Sequence, residues 1–272
     1  MSVGLLCAVA GMSRQNYYKQ RAVRRREEMD EQLVLDLVRA ERSRQPKLGG
    51  RKLLEMVRED LLDAGVNLGR DRFFALLQRH HLLLPRPRRA IRTTDSRHRY
   101  AVYENLAKDL ELSGPDQLLV SDITYIRTDE GFMYLCLVMD AFSRAIVGYD
   151  CSDSLEMEGA LKALKLALGQ LPAGAAAVHH SDRGVQYCCG AYIEALKEGG
   201  LLISMTEQNH CYENAQAERL NGTLKREYGL GETFARKADV LPSVEQGVML
   251  YNHYRPHQAL GYRRPMQVHR AA

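Results

Sequence analysis

LLVSDITYI, residues 118–126, is the stretch whose reading decides the fold. Leu, Val, Ile, Thr and Tyr surround a single acid, the pattern of a strand buried on both faces. Aspartate is depleted in strands. A carboxylate there is costly unless it is paired, hydrogen-bonded or bound to a metal. Asp122 is therefore either a satisfied core acid or a ligand.

Two later stretches bear on that choice. In AVHHSDRGVQY, residues 177–187, Asp182 stands where an apolar run gives way to a polar turn. In ENAQAERLNGTLKREY, residues 213–228, the apolar spacing is helical. At about 100° per residue, Asn214, Glu218, Asn221 and Lys225 fall within roughly 60° of arc, and Ala217, Leu220, Leu224 and Tyr228 form a separate stripe roughly 80° wide. One stripe can pack on a core while the polar strip faces a cleft. Glu218 shares its face with Lys225, which favours it over Glu213 as the acid of interest. Arg219 and Arg226 lie on a third face, toward solvent or a polyanion.

Working outward, strands are expected at 118–127, 132–140 and 145–151, then a helix at 154–170 capped by Ser154. A strand at 175–181, a helix at 190–198, a short strand at 200–204 and the helix at 214–228 follow. Three strands and then alternating helices and strands predict a mixed five-stranded α/β sheet flanked by helices. Asp122 sits on the first strand and Asp182 just past the fourth, so these two strands must be neighbours for the acids to act together. Asp140, in MDAFSR, reads as a turn acid paired with Arg144. A last helix is expected at 239–253, ahead of a polar, loop-rich tail.

The front of the chain is all-α. Residues 1–25 read as helix, turn, helix, with Gly11 as the break and Ser13 as N-cap. Ser13, Arg14, Gln15, Asn16 and Tyr17 open the second helix, where a recognition helix meets DNA. The run at 21–26 reads as a hinge. A second helical domain spans 26–84, with Arg70, Arg72 and Arg79 on the polar face of its last helix. Residues 85–104 form a basic linker in which Arg86, Arg88 and Arg89 can track phosphates. The strand-rich region follows at 105–229, and the final helix and tail at 230–272.

Charge divides the same way. Residues 1–100 carry 22 Lys/Arg and 12 Asp/Glu, a balance of +10, and the remainder carries 16 and 22, a balance of −6. A basic front suits a polyanion and an acidic back suits a cation-binding core. The six cysteines show neither C-x-x-C nor zinc spacing, which fits a reducing compartment. No apolar run reaches the roughly 18 residues of a membrane span.

VSDITYI, MDAFSRAIVG, HHSDRGVQY, ENAQAERLNGTLKREY and YNHYRPHQALGYRRP, in this order and spacing, resemble the integrase-core transposases. More narrowly, they resemble the second-frame (OrfB) proteins of the third family of bacterial insertion sequences. The resemblance spans about residues 51–265. It implies an RNase H-like core and a DDE triad, which falls on Asp122, Asp182 and Glu218 as catalytic and metal-ligating residues. It implies two Mg²⁺ or Mn²⁺ ions per site, and Lys225 as the basic position two turns after the glutamate. His180, Arg183 and Asn214 lie in the same motif blocks as supporting residues. The implied substrate is double-stranded DNA, namely the element's terminal inverted repeats and a target. The implied reaction is 3′-end cleavage and strand transfer. A homo-oligomer, at least a dimer, a bacterial cytoplasmic, nucleoid-associated setting and fusion to an upstream-frame DNA-binding protein are further implications. The rival readings are a catalytically silent DNA-binding regulator and another RNase H-like nuclease.

Overall fold

The computed structural model describes residues 2–85, 101–207 and 214–271. Arg86, Arg88 and Arg89 of the basic linker and Glu213 lie outside them. The chain divides into two compact units, Met1–Pro85 and Arg86–Ala272.

The first unit is helical: α1 (Val3–Val9), α2 (Arg14–Arg44), α3 (Gly50–Asp63) and α4 (Arg70–Arg79). Gly11 takes the left-handed conformation at the α1–α2 turn, and the Ser13 hydroxyl caps α2 by accepting from the Asn16 N–H at 3.1 Å. The hinge expected at 21–26 is absent, because α2 runs unbroken through it. No Gly or Pro interrupts residues 14–44, and Arg, Glu, Leu and Lys are strong helix formers. Val34, Leu35 and Val38 of α2 meet Leu53, Leu54, Val57 and Leu61 of α3 and Phe73, Leu76 and Leu77 of α4 in one core. Arg79 of α4 and His80, the residue that caps it, both hold Glu31 of α2 at 2.8 Å.

The second unit is built on a five-stranded sheet. Its strands are β1 (Leu118–Thr128), β2 (Gly131–Asp140), β3 (Ile146–Ser152), β4 (Val178–Ser181) and β5 (Leu202–Met205), in the order β3-β2-β1-β4-β5. The first three form an antiparallel meander, and β4 and β5 join parallel to β1. Helices α5 (Met157–Leu168), α6 (Val185–Cys188), α7 (Gly190–Glu198), α8 (Ala215–Glu227), α9 (Val240–His253) and α10 (Pro265–Arg270) complete the unit.

The alternation of β1 separates two cores. Leu118, Val120 and Ile126 face Ala217, Leu220 and Leu224 of α8 and Val240, Val244 and Val248 of α9. Leu119 faces Ala160, Ala163 and Leu164 of α5 and Tyr192 and Leu196 of α7. A mixed sheet covered on both faces is the fold class expected from the sequence. At Gly148 of β3 an added Cβ would collide with the Ala163 carbonyl oxygen, so α5 can approach only because no side chain is there.

Several boundaries differ from expectation. Helix α5 begins at Met157, because Ser154 accepts from the Glu156 N–H and closes a turn instead of capping the helix. The tail is not purely loop, since Pro265 opens α10 as a preset first helical residue. Nor does the C-terminal segment stand apart from the sheet. Asn252 of α9 exchanges two hydrogen bonds of 2.9 Å with the Ile146 backbone, and Arg255 pairs with Glu227 of α8 at 2.8 Å.

Candidate active site

The register sets the site. β1 pairs with β4 only through Leu118↔Val178, Leu119↔His179 and Val120↔His180. Two residues beyond the last pair stand Asp122, on the face of β1 that carries Val120, and Asp182, in the turn that follows β4. Helix α8, packed on that face of the sheet, runs along β1 from here. Asn214 Nδ2 donates to the Ser121 carbonyl at 3.0 Å, Asn221 Nδ2 donates to Asp122 Oδ2 at 2.8 Å, and Lys225 Nζ lies 4.4 Å from the centre of the Tyr125 ring. Glu218 stands on this same helix face, exposed, between the two asparagines.

Asp122 is half-buried and its other oxygen accepts from the Ile123 N–H at 3.0 Å. Burial first, then the negative charges of Asp182 and Glu218, push its carboxyl up to about 7, against the pull of Asn221 and Ile123. A site that gathers acids which repel one another wants a cation. Asp182 Oδ1 accepts from the Gly184 N–H at 2.9 Å, which fixes the turn after β4. Burial lowers the affinity of Lys225 for its proton, Asp122 restores part of it, and Arg127 opposes that. Lys225 therefore belongs to the same electrostatic neighbourhood as the carboxylates.

Behind β1 lies a buried polar knot. The Ser121 hydroxyl meets His179 Nε2 at 2.8 Å, and the Tyr192 hydroxyl meets the same nitrogen at 3.0 Å. Burial holds His179 down to about 3, so the ring is neutral and its Nε2 sits between the two hydroxyls. Ser121 thus joins β1 to β4 and α7 through its side chain and to α8 through its carbonyl.

The remaining expected residues fall as follows. His180 is buried and bonded to Ser204 of β5 at 2.8 Å, so it ties strands together and does not reach solvent. Arg183 Nε donates to the Thr206 carbonyl at 2.6 Å. Arg219 is exposed, and Arg226, also exposed, donates to the Gly222 carbonyl at 2.8 Å. In the first unit Ser13, Arg14, Gln15 and Asn16 are exposed on the opening turn of α2, and Tyr17 is half-buried. Arg70 and Arg72 are exposed on α4, whereas Arg79 is engaged with Glu31. Asn221 is an addition to the expected site residues, although its place on the arc of Glu218 and Lys225 pointed to it.

Asp140 is a turn acid, as its sequence context suggested, but its partner differs. Its Oδ1 accepts from the Ser143 N–H at 2.7 Å and the Ser143 hydroxyl at 2.5 Å, and its Oδ2 from the Asp116 N–H at 2.8 Å. His269 stands 3.8 Å away, whereas Arg144 donates its backbone N–H to the Asp140 carbonyl at 2.9 Å and its guanidinium reaches the Asp140 carboxylate through charge. Arg144 itself takes the left-handed conformation, with φ of 64°, at the end of this turn. Asp116, Asp140 and His269 bring their ligand atoms within 4.8 Å of one another. The bonds to Ser143 and Asp116 already occupy Asp140, and the group serves to tie α10 to the ends of β1 and β2.

Among the described residues no helix is long and apolar enough to cross a membrane.

Two models of the integrase core domain match the chain, over residues 113–211 and 200–265. An insertion element IS600 uncharacterized 31 kDa protein of Shigella sonnei is 33% identical over 260 residues, 94% of both chains. The transposase for insertion sequence element IS629 of Shigella sonnei is 37% identical over 182 residues, 66% of this chain and 61% of the relative. Transposase InsF for insertion sequence IS3A of Escherichia coli strain K12 is 38% identical over 172 residues, 62% of this chain and 60% of the relative. Among solved structures, the HTLV-2 integrase catalytic core domain in complex with magnesium aligns with a TM-score of 0.46 at 16% identity, over 58% of this chain and 98% of that one. With an integrase core spanning the strand-rich unit and a relative matched over nearly its whole length, the chain belongs to the IS3-family DDE transposases, polynucleotidyl transferases that act on DNA.

Proposed function

We propose that this chain cuts the ends of its insertion sequence and joins them to a second DNA strand, with Asp122, Asp182 and Glu218 as the catalytic carboxylates. The observation that carries this reading is the parallel pairing of β1 with β4, after which α8 runs along β1. It supports a single pocket fed by three separate elements, and both partner acids raise the carboxyl of Asp122.

The donor set fits a hard divalent cation: three carboxylates, no thiol or imidazole, and room for substrate oxygens. Mg²⁺ or Mn²⁺, two ions held by Asp122, Asp182 and Glu218, would supply positive charge at the attacking and leaving oxygens of the phosphodiester. Asn221 holds Asp122 by its 2.8 Å hydrogen bond and so fixes which oxygen is offered. Lys225 offers a positive charge to a phosphate beside the cut. In the first reaction water attacks the phosphodiester at the element end, and the departing oxygen becomes a free 3′-hydroxyl. In the second, that hydroxyl attacks a phosphodiester of another strand, forming a new ester and releasing that strand's own 3′-hydroxyl. Bringing two ends together calls for at least two copies of the chain. The first unit, with exposed Ser13–Asn16, Arg70 and Arg72, would bind the terminal repeats.

The test is nicking of labelled element-end duplex in Mn²⁺. Asp182→Asn and Glu218→Gln are expected to abolish nicking while leaving gel-shift affinity for the ends within a few-fold of wild type. Wild-type nicking in either variant removes that acid from the site. A wild-type chain that binds the ends but never nicks them would favour the silent regulator.

A further inference from the structure

Beyond residue 120, β1 and β2 continue as a hairpin that closes at residues 128–131. Its register places Tyr125 opposite Tyr134 and Arg127 opposite Phe132, so all four lie on one face. Tyr125 and Phe132 meet edge to face on the diagonal, with ring centres 5.6 Å apart. Neither ring is core: Tyr125 is 39% exposed and Phe132 is 48% exposed. Exposed aromatics that touch one another and stand beside two cations, Arg127 and Lys225, are unusual on a surface with nothing to bind. The acids of the hairpin tip do not cancel this charge entirely, since Glu130 is turned aside to accept from the Lys237 N–H at 2.8 Å.

Tyr125 is three residues from Asp122 and so on the opposite face of β1, past the point where β4 stops pairing; Lys225 links the two, lying over the Tyr125 ring while feeling the charge of Asp122. Asp122 is itself half-buried against α8, so a phosphate must be drawn down to it, and an opened neighbouring base pair would let the strand come closer. A base in duplex DNA has both faces covered by its neighbours. A base lifted from the stack exposes a π-face, which an aromatic side chain can cover whatever the base's identity.

We propose that Tyr125 and Phe132 form a stacking platform for an unpaired nucleobase next to the phosphodiester being cut, with Arg127 and Lys225 holding the adjoining phosphates. This rests on the assignment of Asp122, Asp182 and Glu218 as the catalytic acids. The platform makes the protein prefer a frayed end to a fully paired one and gives it hold on the strand without reading sequence.

The test uses the full chain and two duplexes of the element end, one fully paired and one with its terminal bases mismatched, each carrying 2-aminopurine at the terminal position. Binding is measured in EDTA, and nicking of the same duplexes in Mn²⁺. Wild type is expected to quench the 2-aminopurine of the frayed duplex and to bind that duplex roughly 5- to 100-fold more tightly than the paired one. Phe132→Ala and Tyr125→Leu should lose most of the preference and the quench, and Phe132→Trp should keep both. Both residues are on the surface, so these variants are expected to fold, which equal urea midpoints would verify. Unchanged quench and preference in Phe132→Ala with Tyr125→Leu would overturn the proposal. So would an altered oligomeric state with unchanged quench, which would mark the patch as a protein contact. Nicking without stacking overturns the platform alone, and stacking without nicking overturns the catalytic assignment alone.

Discussion

Replacing Asn221 by Ala tests the site without touching a carboxylate. Asn221 is 7% exposed, and its side chain donates to Asp122 Oδ2 at 2.8 Å. A hydrogen bond to a charged acceptor is worth about 1.5–3 kcal/mol, or roughly 10- to 100-fold in an equilibrium constant. Loss of an outer partner of a metal ligand costs metal affinity on the same scale, about 10- to 100-fold. The bond favours the ionised carboxylate, so its loss raises Asp122 further above the value of about 7 that burial, Asp182 and Glu218 already impose. A proton then competes with the cation more strongly at neutral pH than in alkali. The assay is strand nicking at graded Mn²⁺, at about pH 7 and pH 9, with Asp122 largely ionised only at the higher value. Half-saturating Mn²⁺ should rise at least about tenfold at pH 7. The gap should narrow at pH 9, and the rate at saturating Mn²⁺ should return to near wild type. Alanine's better helix propensity, below about 1 kcal/mol, offsets only part of the lost bond, so urea unfolding is measured alongside and nicking is read where the variant stays folded. An unchanged Mn²⁺ requirement would refute the reasoning, as would a rate lost equally at every Mn²⁺ concentration.

Other consequences concern the frame around the site. Arg255 is 6% exposed and pairs with Glu227, so Arg255→Leu leaves a nearly buried carboxylate without its guanidinium and should cost about 2–4 kcal/mol in urea unfolding. Glu227→Gln, which keeps an acceptor for the guanidinium, should cost less. Gly148→Ala forces a methyl against the Ala163 carbonyl and should destabilise by about 1–3 kcal/mol or more, read as a lower melting temperature. His269→Gln tests the tie between α10 and the sheet. The imidazole lies above its usual value because of Asp140, burial opposing, with further help from the charges of Asp140 and Asp116. Its stabilisation is present below about pH 6.5 and is lost as pH rises through the higher folded value. Burial pushes Asp140 up, but His269, Ser143 and the Asp116 N–H outweigh it, so its contribution is lost only as pH falls below about 4. Asp116, which burial raises, trims this without reversing it. The stability difference between wild type and His269→Gln should therefore be largest near pH 5–6. A difference that grows with alkalinity would contradict the assignment.

How far the fold and the site are legible in the sequence follows from which forces are local. The strands are readable because β-branched and aromatic runs end in turn residues, and α8 because its polar and apolar positions separate on a helical wheel. That wheel puts Asn214, Glu218, Asn221 and Lys225 on one face, and three of the four make the contacts with β1 described above. The pattern misleads at 21–26, where a charge run looks like a hinge although nothing in it breaks a helix. It also misleads at Asp140, whose partners His269 and Asp116 are distant in sequence or act through a backbone N–H that no side-chain pattern encodes.

The sequence by itself determined the periodicity of each element, the acids available and the basic balance of the first hundred residues, because propensity, amphipathicity and charge are carried by neighbouring residues. Only the tertiary structure decided that β4 lies parallel beside β1 and stops pairing at Val120, and that α8 packs over the same face. That outcome depends on which apolar faces bury one another, and it brings Asp122 within electrostatic reach of acids 60 and 96 residues further along the chain. The same packing set Tyr125 and Phe132 side by side in the open, where a strand pattern alone would have buried both.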